Sequence, residues 1–422
     1  MLKILINAYA CCPDKGSEPG MAWNWCVHIS KYCELYIITE GEFYSELECK
    51  IQKLPQGKNM HFYYNFVPNE IRKMCWNQGD WRFYKYYKRW QKKTANIARE
   101  ICQYEKIDVL HQLNMIGFRE PGYLWKVSQE TGIPFVWGPI GGLKQFPMPY
   151  AKGGGLKIKC FLWAKNFLNI IQLKYSRRVN SAIEQGLLIS SIPDSYRAIK
   201  KYKGKESVVI PETGTFVHSD ISAESNRFFN DNLTLLWVGK FDFRKRLDLA
   251  IAAVALAKEG KTNLVLKIFG TGNAAQQQKA KETVQSLGLE DIVQWMGNCP
   301  NTQVVEEMRK ADLFIFTSVS EDTSTVVLEA ISNHLPVLCF DTCGMSSVIT
   351  EQVGVKIPLT NPQQSINDFA EKIKFLNNNR NLLEEMSNNC KQRAEELSWA
   401  NKAKKIVKLY QKVINRVVQV SP

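Results

Sequence analysis

The chain has 422 residues, of which 45% are hydrophobic and 23% charged, and its formal net charge is +14. This length predicts two domains rather than one, and the balance of apolar and charged residues is that of a soluble globular protein rather than a disordered one. No apolar run reaches the 18 or more residues that a membrane-spanning helix needs, so we expect no such helix.

The positive charge is concentrated in the first half of the chain. Residues 1–205 contain 31 Lys and Arg against 16 Asp and Glu, a net charge of +15, whereas residues 206–422 carry a net charge of −1. Such asymmetry favours an anionic partner for the first half, which could be a membrane surface, a phosphorylated acceptor or a nucleic acid. The alternative is a basic face that contacts only solvent.

The cysteines and histidines indicate neither a disulfide framework nor a metal site. The 12 cysteines are dispersed and contain no C-x-x-C pair, and the five histidines are equally scattered. Residues 1–7 are too short an apolar run for a signal peptide and instead predict a first strand. We therefore expect reduced thiols, no bound metal and a cytoplasmic protein.

The first half alternates short apolar runs with longer amphipathic ones. We predict strands at residues 4–8, 35–39, 61–66, 109–111, 135–137 and 187–190. This rhythm is typical of a parallel, doubly wound α/β sheet. Ligands of such sheets bind at the carboxyl ends of the strands.

A glycine-containing loop follows the first predicted strand. In residues 14–20, Ser17 is a candidate N-cap and Pro19 fits the first turn of a helix. Gly16 allows another molecule to approach the backbone closely. The alternative is a plain turn before a helix.

Two further segments of the first half combine aromatic and basic residues. Residues 70–93 could stack nucleobases, contact a membrane interface, or form a helix with aromatic residues in the core. Residues 151–178 have apolar side chains at helical spacing with basic flanks. They could lie on a bilayer or form a core helix with a solvated face.

One histidine stands where a predicted strand ends. His111 closes the run at 109–111, and the carboxyl end of a parallel strand is a favourable place for a functional side chain. The alternative is a structural histidine in the core.

The alternation of strands and helices resumes after a polar segment, residues 217–232, which we interpret as a linker. A strand from 233 leads to Lys240 and Lys245, followed by a helix at 247–258. Two lysines between a strand and a helix can neutralise a diphosphate. The alternative is an ordinary basic turn. Further strands are predicted at 264–269, 293–297 and 336–340, and the strand at 293–297 ends in Gly297.

The last motif is a buried strand at 311–316, a polar loop, and a helix at 326–333. Thr323, Ser324 and Thr325 are good N-cap residues, and a helix start with free N–H groups suits a phosphate. Glu321 and Glu329 bracket this start, about 12 Å apart if the interval is helical. That is too far for an acid/base pair on one bond, which needs about 5–9.5 Å. The alternative is a strand–loop–helix unit with two surface glutamates.

The pair Glu321 and Glu329 resembles the E-x7-E motif of the family 4 retaining glycosyltransferases. Residues 16–20 resemble the G-S-E-P-G first loop of one branch, and Lys240 and Lys245 stand where the family has G-R…K-G. Three places depart from the family pattern: Arg246 and the His334-Leu335 pair replace glycines, and Cys343-Gly344-Met345-Ser346-Ser347 replaces Gly-Gly-x-x-Glu.

The resemblance implies a role for each of these residues. Glu321 and His111 would hold the donor sugar, and Glu329 the ribose. Gly16, Lys240 and Lys245, with the helix start at Thr323, Ser324 and Thr325, would face the diphosphate. Gly297 would lie near the base.

The resemblance also implies the GT-B architecture, in which two doubly wound, Rossmann-like α/β domains face a cleft. The acceptor-side domain would span 1–215 and the nucleotide-sugar domain 216–395. A C-terminal helix, 396–422, would cross back to the first domain.

The implied activity is transfer of a sugar from a nucleotide sugar to an acceptor hydroxyl with retention of anomeric configuration. With no D-x-D motif, we expect neither a metal nor another cofactor. The acceptor would be a lipid-linked intermediate or polysaccharide of surface glycan assembly, with the protein peripheral on the inner face of an anionic membrane and no nucleic acid bound. The alternatives are a nucleotide-sugar epimerase or phosphorylase of similar fold, or a basic-aromatic nucleic-acid-binding protein.

Overall fold

The computed structural model describes residues 1–77, 80–151, 154–217, 227–258 and 263–420, with side chains up to residue 415. The chain divides into two compact units. The first comprises Met1–Leu143, Leu168–Glu212 and Trp399–Pro422, and the second comprises Lys144–Phe167 and Thr213–Ser398. Most of the predicted linker, residues 218–226, lies outside the described residues.

Strands and helices alternate through most of the chain. The strands are β1 (Leu2–Ala8), β2 (Cys33–Thr39), β3 (Met60–Tyr64), β4 (Val109–Asn114), β5 (Phe135–Ile140), β6 (Gly186–Ser190), β7 (Ser207–Val209), β8 (Leu233–Val238), β9 (Leu264–Phe269), β10 (Val293–Gly297), β11 (Leu313–Phe316), β12 (Val337–Phe340) and β13 (Gly354–Ile357). The helices are α1 (Ser17–Ile29), α2 (Tyr44–Ile51), α3 (Asn69–Trp76), α4 (Phe83–Tyr104), α5 (Leu124–Thr131), α6 (Gly155–Tyr175), α7 (Arg177–Gln185), α8 (Pro193–Lys203), α9 (Leu247–Lys258), α10 (Ala274–Ser286), α11 (Asn301–Lys310), α12 (Thr325–Ser332), α13 (Met345–Val348), α14 (Pro362–Asn378), α15 (Arg380–Leu397) and α16 (Trp399–Val420).

The described part of the first unit contains a parallel sheet of seven strands in the order β3-β2-β1-β4-β5-β6-β7. The direction of winding reverses between β1 and β4, as in a doubly wound sheet. Ile4, Leu5 and Ile6 are buried on successive positions of β1, so both faces of the sheet are covered. This continuous burial is why the strands appear in the sequence as uninterrupted apolar runs.

The C-terminal helix completes the first unit. Helix α16 packs on α1, and Trp399, Ile406 and Tyr410 belong to the same apolar core as Trp25 on α1. The indole N–H of Trp25 donates to the carbonyl of Glu212 at 2.8 Å. Glu212 is the last residue of the first unit's second segment.

Residues 144–167 differ from the predicted domain limits, because they pack with the second unit rather than within the predicted domain 1–215. Phe146, Tyr150 and Leu162 lie in the core of the second unit, and the Tyr150 hydroxyl lies 2.6 Å from that of Ser365. No local pattern marks this segment, since its partners are more than 80 residues further along the chain.

The described part of the second unit contains a parallel sheet of six strands in the order β10-β9-β8-β11-β12-β13. Strand β13 was missed by the sequence analysis, because two of its four residues are only partly buried and no continuous apolar run marks it. The ends of β8 and β9 approach closely. Gly270, just after β9, has φ of +122°, and a Cβ there would lie 1.8 Å from the carbonyl oxygen of Gly239.

Replacing Gly270 by alanine therefore forces the two strand ends apart. We expect Gly270→Ala to lower the free energy of unfolding by more than about 3 kcal/mol, beyond the usual range for a point substitution. The matched control is Gly288→Ala, where φ is +62° and no atom lies within 4 Å of an added Cβ. It should cost only the left-handed backbone penalty of about 1–2 kcal/mol. Urea unfolding measures both, and equal losses would contradict the close approach.

Candidate functional site

The E-x7-E segment forms the loop and helix that follow β11. Ser324 is the N-cap of α12, with extended backbone and no hydrogen bond from its side chain to the helix. Thr323 and Ser324 are buried, and Thr325 begins the helix. The predicted strand, loop and helix start are therefore present within two residues of their expected places. The first N–H groups of α12 have no acceptor within the helix, which leaves them available to an anion.

An ion pair joins this loop to the loop that follows β8. Lys245 Nζ lies 2.8 Å from Glu321 Oε1, and the two side chains are 18% and 19% exposed. The ammonium also lies 5.2 Å from the ring centroid of Phe316, at the end of β11. A half-buried pair of this kind is screened less by solvent than a surface pair. The structure thus brings Lys245 and Glu321 into contact. The family resemblance assigns these two residues to different parts of the same donor molecule.

Hydrogen bonds hold the backbone of Lys245 in place. Its carbonyl accepts from the Thr317 hydroxyl at 2.8 Å, and the same hydroxyl accepts from the Trp237 indole N–H at 3.1 Å. The sequence analysis missed Thr317, although its position directly after a buried apolar strand was a signal that could have identified it.

Lys240 occupies the start of the same loop, directly after β8 and Gly239. Its side chain is exposed, and among the described residues no carboxylate lies within 4 Å of its ammonium. The neighbouring Asp242 is engaged by Arg244, whose guanidinium contacts it at 2.8 Å. Lys240 is therefore a cation that a bound anion could use without displacing a protein carboxylate.

Glu329 lies one helical turn beyond the start of α12 and is half-buried. Burial raises the pKa of its carboxyl above the ordinary value, and a hydrogen bond from the Asn301 side chain lowers it in part. Desolvation disfavours the charged form of this carboxyl, whereas hydrogen bonds donated to it favour that form. A ligand that donates such bonds, for example a diol, would therefore stabilise the carboxylate.

Three departures from the family pattern keep the backbone conformation that glycine adopts readily. Arg246, His334 and Cys343 have φ of +51°, +59° and +59°. Each left-handed residue costs about 1–2 kcal/mol without compensating contacts. Arg246 obtains such contacts from Asp248, at 2.8 and 2.9 Å, and from the carbonyl of Tyr150, at 3.2 Å.

Cys343 and Gly344 pack against the Glu321 loop. The Gly344 N–H donates to the carbonyl of Asp322 at 3.1 Å, and a Cβ on Gly344 would lie 2.7 Å from the Cα of Thr323. The Lys144 ammonium contacts the buried Cys343 sulfur. Burial raises the pKa of the Cys343 thiol, and Lys144 partly opposes this. The sequence analysis missed Lys144, because nearly 200 residues separate it from Cys343.

Gly297 ends β10 with φ of +71°, and its carbonyl accepts from the Gly270 N–H at 2.7 Å. An added Cβ on Gly297 would meet nothing within 4 Å, so open space adjoins it. A cavity of about 220 Å³ also opens beside the β8–α9 loop, lined by Phe241, Phe243 and residues of α9 and α10. None of the predicted donor-binding residues lines this cavity.

In the first unit, Gly16 is the N-cap of α1, and the space around its Cβ position is open to 4 Å. The predicted capping role of Ser17 is wrong: Ser17 is the first helical residue, with φ of +56°. Pro19 lies in the first turn as expected. Gly20 is the position where a side chain cannot fit, since a Cβ would lie 1.9 Å from the carbonyl oxygen of Lys15.

His111 does not lie at the end of its strand, as predicted, but in the middle of β4, which continues to Asn114. Its side chain is fully buried. The Nε2–H donates to the carbonyl of Gly138 at 2.7 Å, and Nδ1 accepts from the hydroxyl of Tyr410 at 2.6 Å. We assign these roles because a carbonyl can only accept.

Burial lowers the pKa of His111 to about 4. Both ring nitrogens are engaged within the protein, and the side chain links β4, the loop at Gly138 and α16. The active-site role of His111 stays a prediction.

Residues 70–93 are divided between core and solvent. On α4, Phe83, Tyr87 and Trp90 are buried around Tyr9, with ring centroids 4.8–5.8 Å from it. These rings are unavailable for stacking on a nucleobase. Gln78 and Gly79 lie outside the described residues. The buried rings agree with the core-helix interpretation, whereas Trp76, Trp81 and Tyr84 are exposed. Contact of this segment with a membrane or a nucleobase stays a prediction.

Neither a cluster of metal ligands nor a membrane-spanning helix is present among the described residues. No group of three or more His, Cys, Asp or Glu side chains is arranged to hold a metal ion. No helix in these ranges has the length and hydropathy required to cross a bilayer.

The second unit is similar in sequence to a known family. The family model described as glycosyl transferases group 1 matches residues 219–394. The chain is 26% identical over 176 residues to D-inositol 3-phosphate glycosyltransferase of Kribbella flavida, covering 40% of this chain and 41% of that protein. It is 26% identical over 168 residues to alpha-monoglucosyldiacylglycerol synthase of Streptococcus pneumoniae, covering 37% of each. The chain thus matches only about two fifths of the length of these curated relatives.

Solved structures extend the likeness to the whole chain. HepE of Anabaena, crystallised with UDP, superposes with a TM-score of 0.62 at 14% identity, covering 98% of this chain and 100% of HepE. Sucrose-phosphate synthase of Thermosynechococcus elongatus superposes with a TM-score of 0.63 at 14% identity, covering 99% and 100%. The predicted fold, two Rossmann-like domains, is confirmed. Residues 219–394 therefore match the model of the glycosyl transferases group 1 family, and the chain as a whole has the GT-B fold of two Rossmann-like α/β domains.

Proposed function

We propose that the protein is a retaining glycosyltransferase that moves a sugar from a nucleotide-diphosphate donor to an acceptor hydroxyl without a metal ion. The observation that carries this proposal is the ion pair between Lys245 and Glu321 beside the start of α12. It places a cation, a carboxylate and free helix N–H groups on adjoining loops of one domain. A donor with a diphosphate at one end and a sugar at the other matches this arrangement of charges.

The comparisons support a nucleotide-diphosphate sugar as the donor. HepE, whose fold this chain shares, was crystallised with UDP, with UDP and glucose, and with UDP-glucose. The sugar and the base of this protein's donor depend on pocket shape. A thermal-shift screen with UDP, GDP, ADP and dTDP sugars would identify them.

In the proposed reaction, the bond between the anomeric carbon and the diphosphate breaks as negative charge develops on the leaving phosphate. Lys240 and Lys245 stabilise that charge, together with the N–H groups at the start of α12. Such stabilisation acts mainly in the transition state, where the charge is greatest.

The acceptor hydroxyl attacks the anomeric carbon on the face from which the diphosphate departs, so the anomeric configuration is retained. An oxygen of the leaving phosphate accepts the proton of the hydroxyl, which balances the exchange without a protein nucleophile. Glu321 holds the sugar hydroxyls while positive charge develops on the ring. Glu329 holds the ribose hydroxyls, and Gly16 allows the diphosphate to approach the first loop.

The acceptor is proposed to be a lipid-linked intermediate or a polysaccharide of surface glycan assembly. Two observations support this: one relative is named for a glycosylated diacylglycerol product, and the first half of the chain carries a net charge of +15. The protein would act in the cytoplasm at the inner face of the cell membrane.

The two lysines should contribute to turnover. We expect Lys240→Ala and Lys245→Ala each to lower kcat by about 10²–10³-fold, the usual effect of removing one group that stabilises developing charge. Lys245→Arg, which keeps the charge beside Glu321, should retain more activity than Lys245→Ala. Lys281→Ala, on the exposed side of α10, is the matched control.

The assay is release of nucleoside diphosphate that depends on added acceptor, which also separates transfer from epimerisation. Activity should survive EDTA. Unchanged rates in both alanine variants would exclude the diphosphate role, and a loss restored only by Mg²⁺ or Mn²⁺ would show that a metal performs it.

The two glutamates should affect different kinetic constants. Glu329→Ala should raise the donor KM with little change in kcat, because ribose hydroxyls are held alike in the ground and transition states. Glu321→Ala should chiefly lower kcat, because the sugar is where charge develops. Steady-state kinetics in donor concentration measure both, and the reverse pattern would show that the donor binds in the opposite direction.

The raised pKa of Glu329 predicts a pH dependence of donor binding. The ionised carboxylate accepts stronger hydrogen bonds from ribose hydroxyls, and at both oxygens, than the protonated carboxyl does. Burial shifts its protonation to a higher pH than for an exposed glutamate. The donor KM should therefore rise as pH falls, beginning above the ordinary glutamate range. Glu329→Gln, which cannot titrate, should lose this dependence. A KM–pH profile that is identical in the two proteins would contradict the assignment.

A further inference from the structure

The first two turns of α6 are exposed on every side. Each residue from 155 to 161 is exposed, including Leu156 at 77% and Phe161 at 65%. One turn further, Trp163 and Phe167 are 61% and 51% exposed, and their rings stack with centroids 5.6 Å apart. The apolar side chains therefore surround the start of the helix rather than forming one stripe that faces the core.

The few inward contacts of α6 come from other residues. Leu162 packs in the core of the second unit, and Leu173 in that of the first. Asn169 accepts a hydrogen bond from Arg119. Apart from Leu162, the large apolar side chains of residues 156–168 stay exposed, and the rings of Trp163 and Phe167 stack on each other. A contiguous apolar surface of this kind marks an interaction site, whereas a single exposed residue such as Phe375 is ordinary.

The charged residues of α6 and of its neighbours in the sequence are all basic. The sequence contains no aspartate or glutamate between Glu130 and Glu184, but eight lysines and arginines. On α6 itself, Lys157 and Lys159 are exposed, and among the described residues no carboxylate lies within 4 Å of either ammonium. The helix therefore presents bulky apolar groups together with cations that the protein leaves unneutralised.

This combination favours an anionic lipid surface over a second copy of the chain. Two copies meeting through α6 would bring like charges together at the interface, which is destabilising. At a lipid surface, Trp and Phe rings lie at the depth of the headgroups, and the lysine ammonium groups reach back to anionic phosphates. Each Lys near an anionic leaflet adds to the attraction, and salt weakens it.

The arrangement also indicates how the helix would bind. A helix that lies flat on a bilayer has one apolar and one polar face, and α6 has apolar side chains all round its exposed start. We propose that the first half of α6, residues 155–168, inserts into an anionic lipid surface and anchors the protein there. The inference rests on the proposed function for the membrane at which the protein would act. Binding of α6 to lipid does not itself require glycosyl transfer.

The experiment is flotation of the full chain with vesicles of phosphatidylglycerol and phosphatidylcholine, and with phosphatidylcholine alone, at low and high salt. We expect binding to the mixed vesicles at low salt, weaker binding at high salt, and much weaker binding to phosphatidylcholine. Lys157→Gln with Lys159→Gln should weaken binding about 30-fold, or about fivefold for each lysine. Phe161→Gln with Trp163→Gln should weaken it by about 100-fold or more.

Matched controls come from other exposed positions. Lys85→Gln with Lys88→Gln removes two exposed lysines from α4, and Phe375→Gln removes an exposed ring from α14. Both should bind within about twofold of the unaltered chain, because neither set of side chains belongs to the α6 surface. Circular dichroism should show all variants folded, because each altered side chain is exposed.

Several results would overturn the inference. One is failure of the unaltered chain to bind mixed vesicles at low salt, and another is a loss of binding in the α4 variant as large as that in the α6 lysine variant. The inference would also fail if the Phe161 and Trp163 variant bound as well as the unaltered chain, or if the α6 substitutions abolished self-association of the protein and left lipid binding unchanged. Transfer to a water-soluble acceptor distinguishes this inference from the proposed function. Variants of α6 that transfer normally but do not float support the anchor. A chain that floats through α6 but transfers no sugar would contradict only the proposed function.

Discussion

The ion pair between Lys245 and Glu321 is the interaction on which the candidate site depends. It joins the loops that follow β8 and β11, which are hydrogen-bonded neighbours in the sheet. In a parallel sheet the carboxyl ends of neighbouring strands meet at one edge, so residues about 75 positions apart in the chain are placed within hydrogen-bond distance. Thr317 supports the pair by holding the carbonyl of Lys245.

This pair also determines how the site would receive a donor. Lys245 is already balanced by Glu321, whereas Lys240 is exposed and has no carboxylate within 4 Å among the described residues. A diphosphate would therefore meet Lys240 and the start of α12 as uncompensated positive charge, and would share Lys245 with Glu321. Glu321 would then be free to accept hydrogen bonds from the sugar.

At three positions that depart from the family pattern, the side chain differs but the backbone keeps the left-handed conformation typical of glycine. Arg246, His334 and Cys343 stand where glycines are expected, and each adopts positive φ. Nearby contacts offset the conformational cost: Arg246 binds Asp248, the carbonyl of His334 accepts from Ser387 at 2.7 Å, and the sulfur of Cys343 contacts Lys144. The tertiary contacts thus stabilise a positive-φ backbone conformation that these residue types disfavour.

The sequence by itself determined most of the strand and helix order and the strand–loop–helix unit around Glu321, because apolar periodicity and capping residues act over a few positions. The GT-B fold followed from its resemblance to a known family. The sequence could not determine the surroundings of a side chain. His111 satisfies the same local pattern as a functional histidine, but Tyr410, 299 positions away, occupies one of its ring nitrogens. The same holds for residues 144–167, which pack with a domain formed by later residues, and for α6, whose apolar side chains the sequence shows but whose exposure only the tertiary structure decided. Burial depends on which distant segments cover a residue, and that information is spread over the whole chain.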